Sequence, residues 1–145
     1  MIKMNKKMPA KKIAAFTLIE LLIVIVIIGI IAAVAAPGFD RTKQDALSRE
    51  AIASLKLMAA AQKIYKMESN NNRYVACANA ALCNTALSLD LHPSNWLYAV
   101  SVNAGTGVAT LTATRVGLAA CTYTLTSSNF NAEPVKSAGC PAGMQ

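Results

Sequence analysis

Apolar residues follow three regimes along this chain. From Ala15 to Ala36, AFTLIELLIVIVIIGIIAAVAA, they are almost unbroken. From Phe39 to Ser69 they recur at helical spacing, and from Trp96 they alternate with polar residues. In order, these regimes predict an apolar helix, an amphipathic helix and a set of antiparallel strands.

The first regime is 22 residues long and holds one ionisable side chain, Glu20. About 20 residues at 1.5 Å rise match a hydrocarbon core of roughly 30 Å, so the run can cross a bilayer. A carboxylate inside such a helix costs a few kcal/mol and is by default a candidate functional group. Gly29 and Pro37 weaken the helix, by about 1 and about 3 kcal/mol in an interior position. Pro37-Gly38 therefore predicts a kink or a melted turn; the alternative is a helix end at Ala36. Beyond it, Leu47, Ala51, Leu55, Met58, Ala61 and Tyr65 recur every three or four residues and form one apolar stripe. Arg49, Lys56, Lys63 and Lys66 fall largely off that stripe. Run and stripe together predict one N-terminal helix of about 50 residues, or roughly 75–80 Å. Asn70-Asn71-Asn72 stops it.

Residues 70–95 have no clear period and are expected to be a loop, with room for a short helix. Three strands are predicted after it, Trp96–Asn103, Val108–Arg115 and Ala120–Thr126. Trp96, Tyr98, Val100 and Val102 share a face of the first. Thr110, Thr112 and Thr114 oppose Ala109, Leu111 and Ala113 in the second, and Cys121, Tyr123 and Leu125 share a face of the third. Gly105, Gly107 and Gly117 mark the turns. One apolar sheet face should cover the helix stripe. The fold class expected is α+β: a long N-terminal helix, transmembrane in its first half and amphipathic in its second, on a small antiparallel sheet.

Charge sharpens the membrane reading. The net charge is +7, yet Lys3, Lys6, Lys7, Lys11 and Lys12 all precede the apolar run. From Phe16 onward, 9 basic residues face 7 acidic ones. The basicity belongs to residues 1–15, which should stay cytoplasmic by the positive-inside rule and place the C-terminal body outside the inner membrane. A body of net charge +2 gives no positive reason to invoke nucleic acid.

Cys77, Cys83, Cys121 and Cys140 all lie in that body. An even count in an exported domain reads as disulfides, with three connectivities open. Proximity in sequence favours Cys77–Cys83 and Cys121–Cys140. A metal site is poorly supported, because there is no C-x-x-C and His92 is the single histidine.

Two processing schemes compete at the N-terminus. Ala33-Val34-Ala35 fits the small-residue site of a secretory signal, but the apolar stretch exceeds the usual 7–15 residues and contains Glu20. The other scheme cuts before the run and leaves the helix on the mature chain. Ala-Phe-Thr-Leu-Ile-Glu at 15–20, followed by LLIVIVIIGIIAAVAAP, resembles the type III signal of type IV pilins and pseudopilins. The likeness is specific over Lys11–Asp40. It implies that a prepilin peptidase cuts between Ala15 and Phe16 and methylates the new amine of Phe16. The family usually has glycine before the cut, where this chain has Ala15. Gly29 and Pro37 match positions where the family's helix is loosened, and residues 70–95 would be the surface loop between helix and sheet.

The physics of that resemblance is simple. The freed amine of Phe16 would be a positive charge one helical turn from Glu20, and a carboxylate there suits the positive end of the helix macrodipole. In a staggered stack, Glu20 of one subunit can pair with the Phe16 amine of the next. A mismatched neighbour would leave a buried charge alone, so pairing selects register. The alternative is a solvated Glu20 at headgroup depth.

No nucleophile–base set, P-loop, dinucleotide fingerprint or carboxylate pair occurs, and no enzyme activity or cofactor is expected. The resemblance implies a structural subunit of a type IV pilus-like filament, a homo-oligomer met first by the inner membrane, the prepilin peptidase and an inner-membrane assembly platform. Before assembly it would be single-pass with a periplasmic C-terminus; afterwards it would lie in an extracellular pilus or a periplasmic pseudopilus. A pseudopilin of a type II secretion system shares the same N-terminal physics. A secreted or membrane-anchored binding protein is the rival from another class.

Overall fold

The computed structural model describes residues 16–144, excepting the side chains of residues 35–37. The expected leader, residues 1–15 with Ala15, lies outside the described residues. The chain divides into two compact units, Met1–Pro37 and Gly38–Gln145.

Helix α1, Leu18–Glu68, contains both helical regimes and passes through Gly29 and Pro37. In the first unit every large apolar side chain from Leu18 to Val34 is exposed. Taken as pieces on either side of residues 35–37, Leu18–Val34 and Gly38–Glu68 reach the length and hydropathy of a membrane span only together; among the described residues no single helix does so.

In the second unit α1 presents Leu47, Ala51, Leu55, Met58 and Ala59 to the core. The stripe departs from expectation at its C-terminal end. Ala61 and Tyr65 are half-buried, and Gln62 is fully buried instead. Its amide explains this: Nε2 donates to the Val75 carbonyl at 2.7 Å, and Oε1 accepts from the Val75 N–H at 3.0 Å. Both ends of the amide are satisfied, which makes its burial cheap. The next segment is thereby tied to the helix.

That segment is not all loop. Helix α2, Ala80–Leu87, occupies its middle. Asn79 caps it by accepting from the Leu82 N–H at 2.9 Å, and Ser88 ends it in the left-handed region. Two turns are too short for a periodic apolar signal, but Asn79 at the N-cap is a readable start. Ala80, Cys83 and Leu87 turn inward.

Four strands follow as a meander in chain order: β1 Trp96–Val102, β2 Ala109–Arg115, β3 Leu118–Thr126 and β4 Val135–Lys136. All neighbours are antiparallel, with Val100 opposite Leu111 and Leu111 opposite Leu125. The inner face is the predicted one, with Trp96, Tyr98 and Val100, then Ala109, Leu111 and Ala113, then Cys121, Tyr123 and Leu125, all buried, while Val102 at the end of β1 is only half-buried against the core. Outward, Thr110, Thr112 and Thr114 face Thr126, Thr124 and Thr122. At the first turn, Asn103 Oδ1 accepts from the N–H groups of Gly105 and Thr106. Gly117 takes φ 77° at the second, where a register shift sits between Thr114 and Arg115. β4 is a two-residue strand that period-2 reasoning cannot register.

Trp96 pins helix to sheet. It is fully buried, its indole N–H donates to the Leu47 carbonyl at 3.0 Å, and its ring meets Tyr123 edge-on at 5.5 Å. Cys77 is bonded to Cys83 and Cys121 to Cys140. The second bond brings the tail back along β3, where Ser137 Oγ donates to the Ala120 carbonyl and accepts from the Thr122 N–H. Met144 plugs the core against Cys121.

The tail runs so close to β3 that Gly139 has no room for a side chain. A Cβ there would overlap the Ala120 carbonyl and lie 2.7 Å from the Ala120 Cβ. The Ser137 hydrogen bonds and the disulfide prevent retreat. Gly139→Ala should cost about 1–3 kcal/mol, the usual range for overpacking. Thermal denaturation followed by circular dichroism checks this, and an unchanged Tm would contradict the close approach.

Burial also raises the pKa of two core phenols. Tyr98, whose hydroxyl donates to Ser54 Oγ at 3.0 Å, is pushed above its ordinary value by desolvation, opposed by Ser54 and aided by Glu50. Tyr123 is raised by desolvation, opposed by Ser48 and aided by Asp45. A raised folded pKa means the folded state holds its protons longer. Their contribution is complete below about pH 10 and is lost as pH rises through the folded values. Tm should therefore fall from about pH 10 upward. Tyr98→Phe should flatten that fall, read by melts at stepped pH with phenolate absorbance as the companion signal. An identical alkaline slope in the variant would contradict it.

Candidate assembly site at the start of the apolar helix

The first residues of α1 form a closed local motif. Thr17 stands at the N-cap position and Glu20 three residues on. The Thr17 N–H and Oγ1 each reach Glu20 Oε2 at 3.2 Å, and the Glu20 N–H donates to Thr17 Oγ1 at 3.3 Å. This is a capping box, two orphan amides of the first turn satisfied reciprocally. The signal is present in the sequence as Thr-x-x-Glu before an apolar run.

The box changes what Glu20 is. Its carboxylate is held at the positive end of the helix, so its charge is partly answered before any partner arrives. One oxygen is engaged; Oε1 has no hydrogen-bond partner among the described residues. Phe16 and Leu18 beside it are exposed, at 78% and 87%. The arrangement is a fixed, outward carboxylate oxygen in an apolar surround. It suits a cationic donor arriving from outside the chain, with geometry already set.

Among the described residues, the remaining chemistry-bearing side chains do not gather into a site. His92 and Asp90 are both exposed and 3.9 Å apart. Among the described residues no cluster of His, Cys, Asp or Glu could hold a metal ion. Cys77 and Cys83 join the start of the 70–95 segment to α2, and Cys121 and Cys140 join β3 to the tail. All four sulfurs are consumed in the fold.

Comparison with known proteins finds likeness in the same segment. The model of the prokaryotic N-terminal methylation motif matches residues 10–36, which include Thr17, Glu20 and Gly29. The chain is 45% identical over 64 residues to a type IV major pilin protein PilA of Myxococcus xanthus (strain DK1622), covering 44% of this chain and 28% of that one. It is 34% identical over 67 residues to a type II secretion system core protein G of Aeromonas hydrophila, covering 46% of each. The chain thus spans less than half the length of the curated relatives it matches. No solved structure matches it. The motif implies anchoring in the inner membrane.

Proposed function

We propose that the chain is a structural subunit of a type IV pilus-like filament, assembling through its N-terminal apolar helix. The observation that carries this is the Thr17–Glu20 box at the head of a helix whose large apolar side chains are all exposed. Such a surface is stable only in lipid or against other helices. The chain would use both in turn, as a single-pass inner-membrane protein with a periplasmic body and then as filament core.

Processing between Ala15 and Phe16 creates the cation that Glu20 lacks. The methylated Phe16 amine of one copy then reaches Glu20 Oε1 of its neighbour, while Oε2 stays on Thr17. Gly29 and Pro37 are the places where the helix yields during packing. A prepilin peptidase and an inner-membrane platform are the partners this requires.

The likeness to a core protein G favours a second reading, a pseudopilin of a type II secretion system. Fractionation separates the two. Sheared surface filaments containing this chain indicate a pilus; filaments retained in the periplasm indicate a pseudopilus. A chain found only as a monomer after processing would refute both.

A further inference from the structure

The first two turns of the sheet differ in kind. The β1–β2 turn, Asn103-Ala104-Gly105-Thr106-Gly107, is polar and small, as a turn in water should be. The β2–β3 turn exposes Val116 and Leu118 on either side of Gly117. The two turns lie at opposite ends of the second unit. Trp96 donates to Leu47 and Tyr98 to Ser54, so β1 runs in the direction of α1. Arg115 is opposite Trp96, and the Val116 N–H donates to the Asn95 carbonyl at 2.9 Å. The β2–β3 turn is therefore at the end where α1 enters the unit. The tail comes to the same end, with Gly143 beside Arg41. Phe39, exposed directly after Gly38, adds a third large apolar side chain there. Basic side chains share that end. Arg41 and Lys43 are exposed, Arg115 is half-buried against the Trp96 ring, and none of the three forms an ion pair among the described residues. Of the acidic residues nearby, Asp40 is exposed, Asp45 and Glu50 are half-buried, and Glu50 is engaged by the Asn95 amide.

We infer that this end of the second unit is a foot that rests on anionic phospholipid, with Phe39, Val116 and Leu118 at the headgroup boundary and Arg41, Lys43 and Arg115 against phosphate. The inference rests on the membrane-anchored stage of the reading above. Chain continuity selects the occupant. Helix α1 passes from the apolar run into this end at Gly38, so a bilayer holding that run comes within a few residues of Phe39 and Arg41. Chemistry selects it too. An interfacial contact needs apolar side chains for the acyl boundary and cations for the lipid phosphates, and this end offers both together. The opposite turn has neither an exposed large apolar side chain nor a charge of its own. Before assembly the foot holds the body in a fixed attitude to the membrane.

The test reconstitutes the full chain in vesicles of phosphatidylethanolamine and phosphatidylglycerol. Benzoylphenylalanine is placed at Val116, at Thr106 or at Ile25, and photoadducts are mapped by mass spectrometry. Lipid adducts are expected at Val116 and Ile25 and not at Thr106. Exchanging phosphatidylglycerol for phosphatidylcholine should lower the Val116 yield about threefold, because each basic side chain near an anionic surface adds to its hold. Arg41→Glu combined with Lys43→Glu should do the same in the original vesicles, and both side chains are exposed, so the fold is spared. Lipid at Ile25 with none at Val116, equal yields at Val116 and Thr106, or a Val116 yield indifferent to lipid charge would overturn the inference and leave the anchored reading standing. Absence of lipid at Ile25 would overturn both.

Discussion

Glu20→Gln should abolish filaments while leaving the helix intact. Glutamine can complete the capping box at the third helical position as well as glutamate does. The substitution therefore removes charge and keeps the cap. Glu20→Ala removes both. If the carboxylate answers the Phe16 amine of a neighbour, the two variants should be equally defective. Leaving one member of a buried pair without its partner costs about 3–5 kcal/mol, or more than about a hundredfold in an association constant. If capping alone were the role, Glu20→Gln would assemble normally, and the loss in Glu20→Ala would be limited to about 0.5–2 kcal/mol of helix stability. Filament yield by electron microscopy, with membrane insertion measured alongside, distinguishes the two. Thr17→Val should fall between the unsubstituted chain and the two Glu20 variants, because it frees the carboxylate without removing its charge.

Trp96→Ala should be the most destabilising single change in the second unit. The ring is fully buried, edge-on to Tyr123 and beneath the Arg115 guanidinium, 5.5 Å from each. Its N–H holds the Leu47 carbonyl of α1. Truncating a buried tryptophan typically costs about 3–5 kcal/mol, against a total stability of about 5–15 for a domain. Trp96→Phe should lose less, chiefly the hydrogen bond and some packing. Denaturant titration by circular dichroism gives the ranking. Equal midpoints for Trp96→Ala and the unsubstituted chain would mean that this ring is not what joins helix to sheet.

The long helix, the three main strands and the inner face of the sheet were legible because each rests on a sustained period. Leu47, Ala51, Leu55 and Met58 repeat at helical spacing, and Cys121, Tyr123 and Leu125 at spacing two. Helix α2 was legible only as room for a short helix and strand β4 not at all, because eight and two residues are too few to establish a period. Gln62 was hidden for a different reason. A polar residue on the edge of an apolar stripe looks solvent-facing until its partner, Val75, is known. At the candidate assembly site, Glu20 stood out by charge and the apolar run by length. Thr17 did not, since its contribution depends on a three-residue spacing that is common in any chain. The box gives Glu20 one oxygen held by Thr17 and one without a hydrogen-bond partner among the described residues.

The free oxygen has a cationic partner in the filament only if Phe16 is an N-terminus. The mass of the mature chain therefore tests the account most directly. It predicts a chain beginning at Phe16 and carrying one methyl group on its amine. A chain beginning at Ala36, as a secretory cut would leave it, or one still carrying residues 1–15 would contradict it.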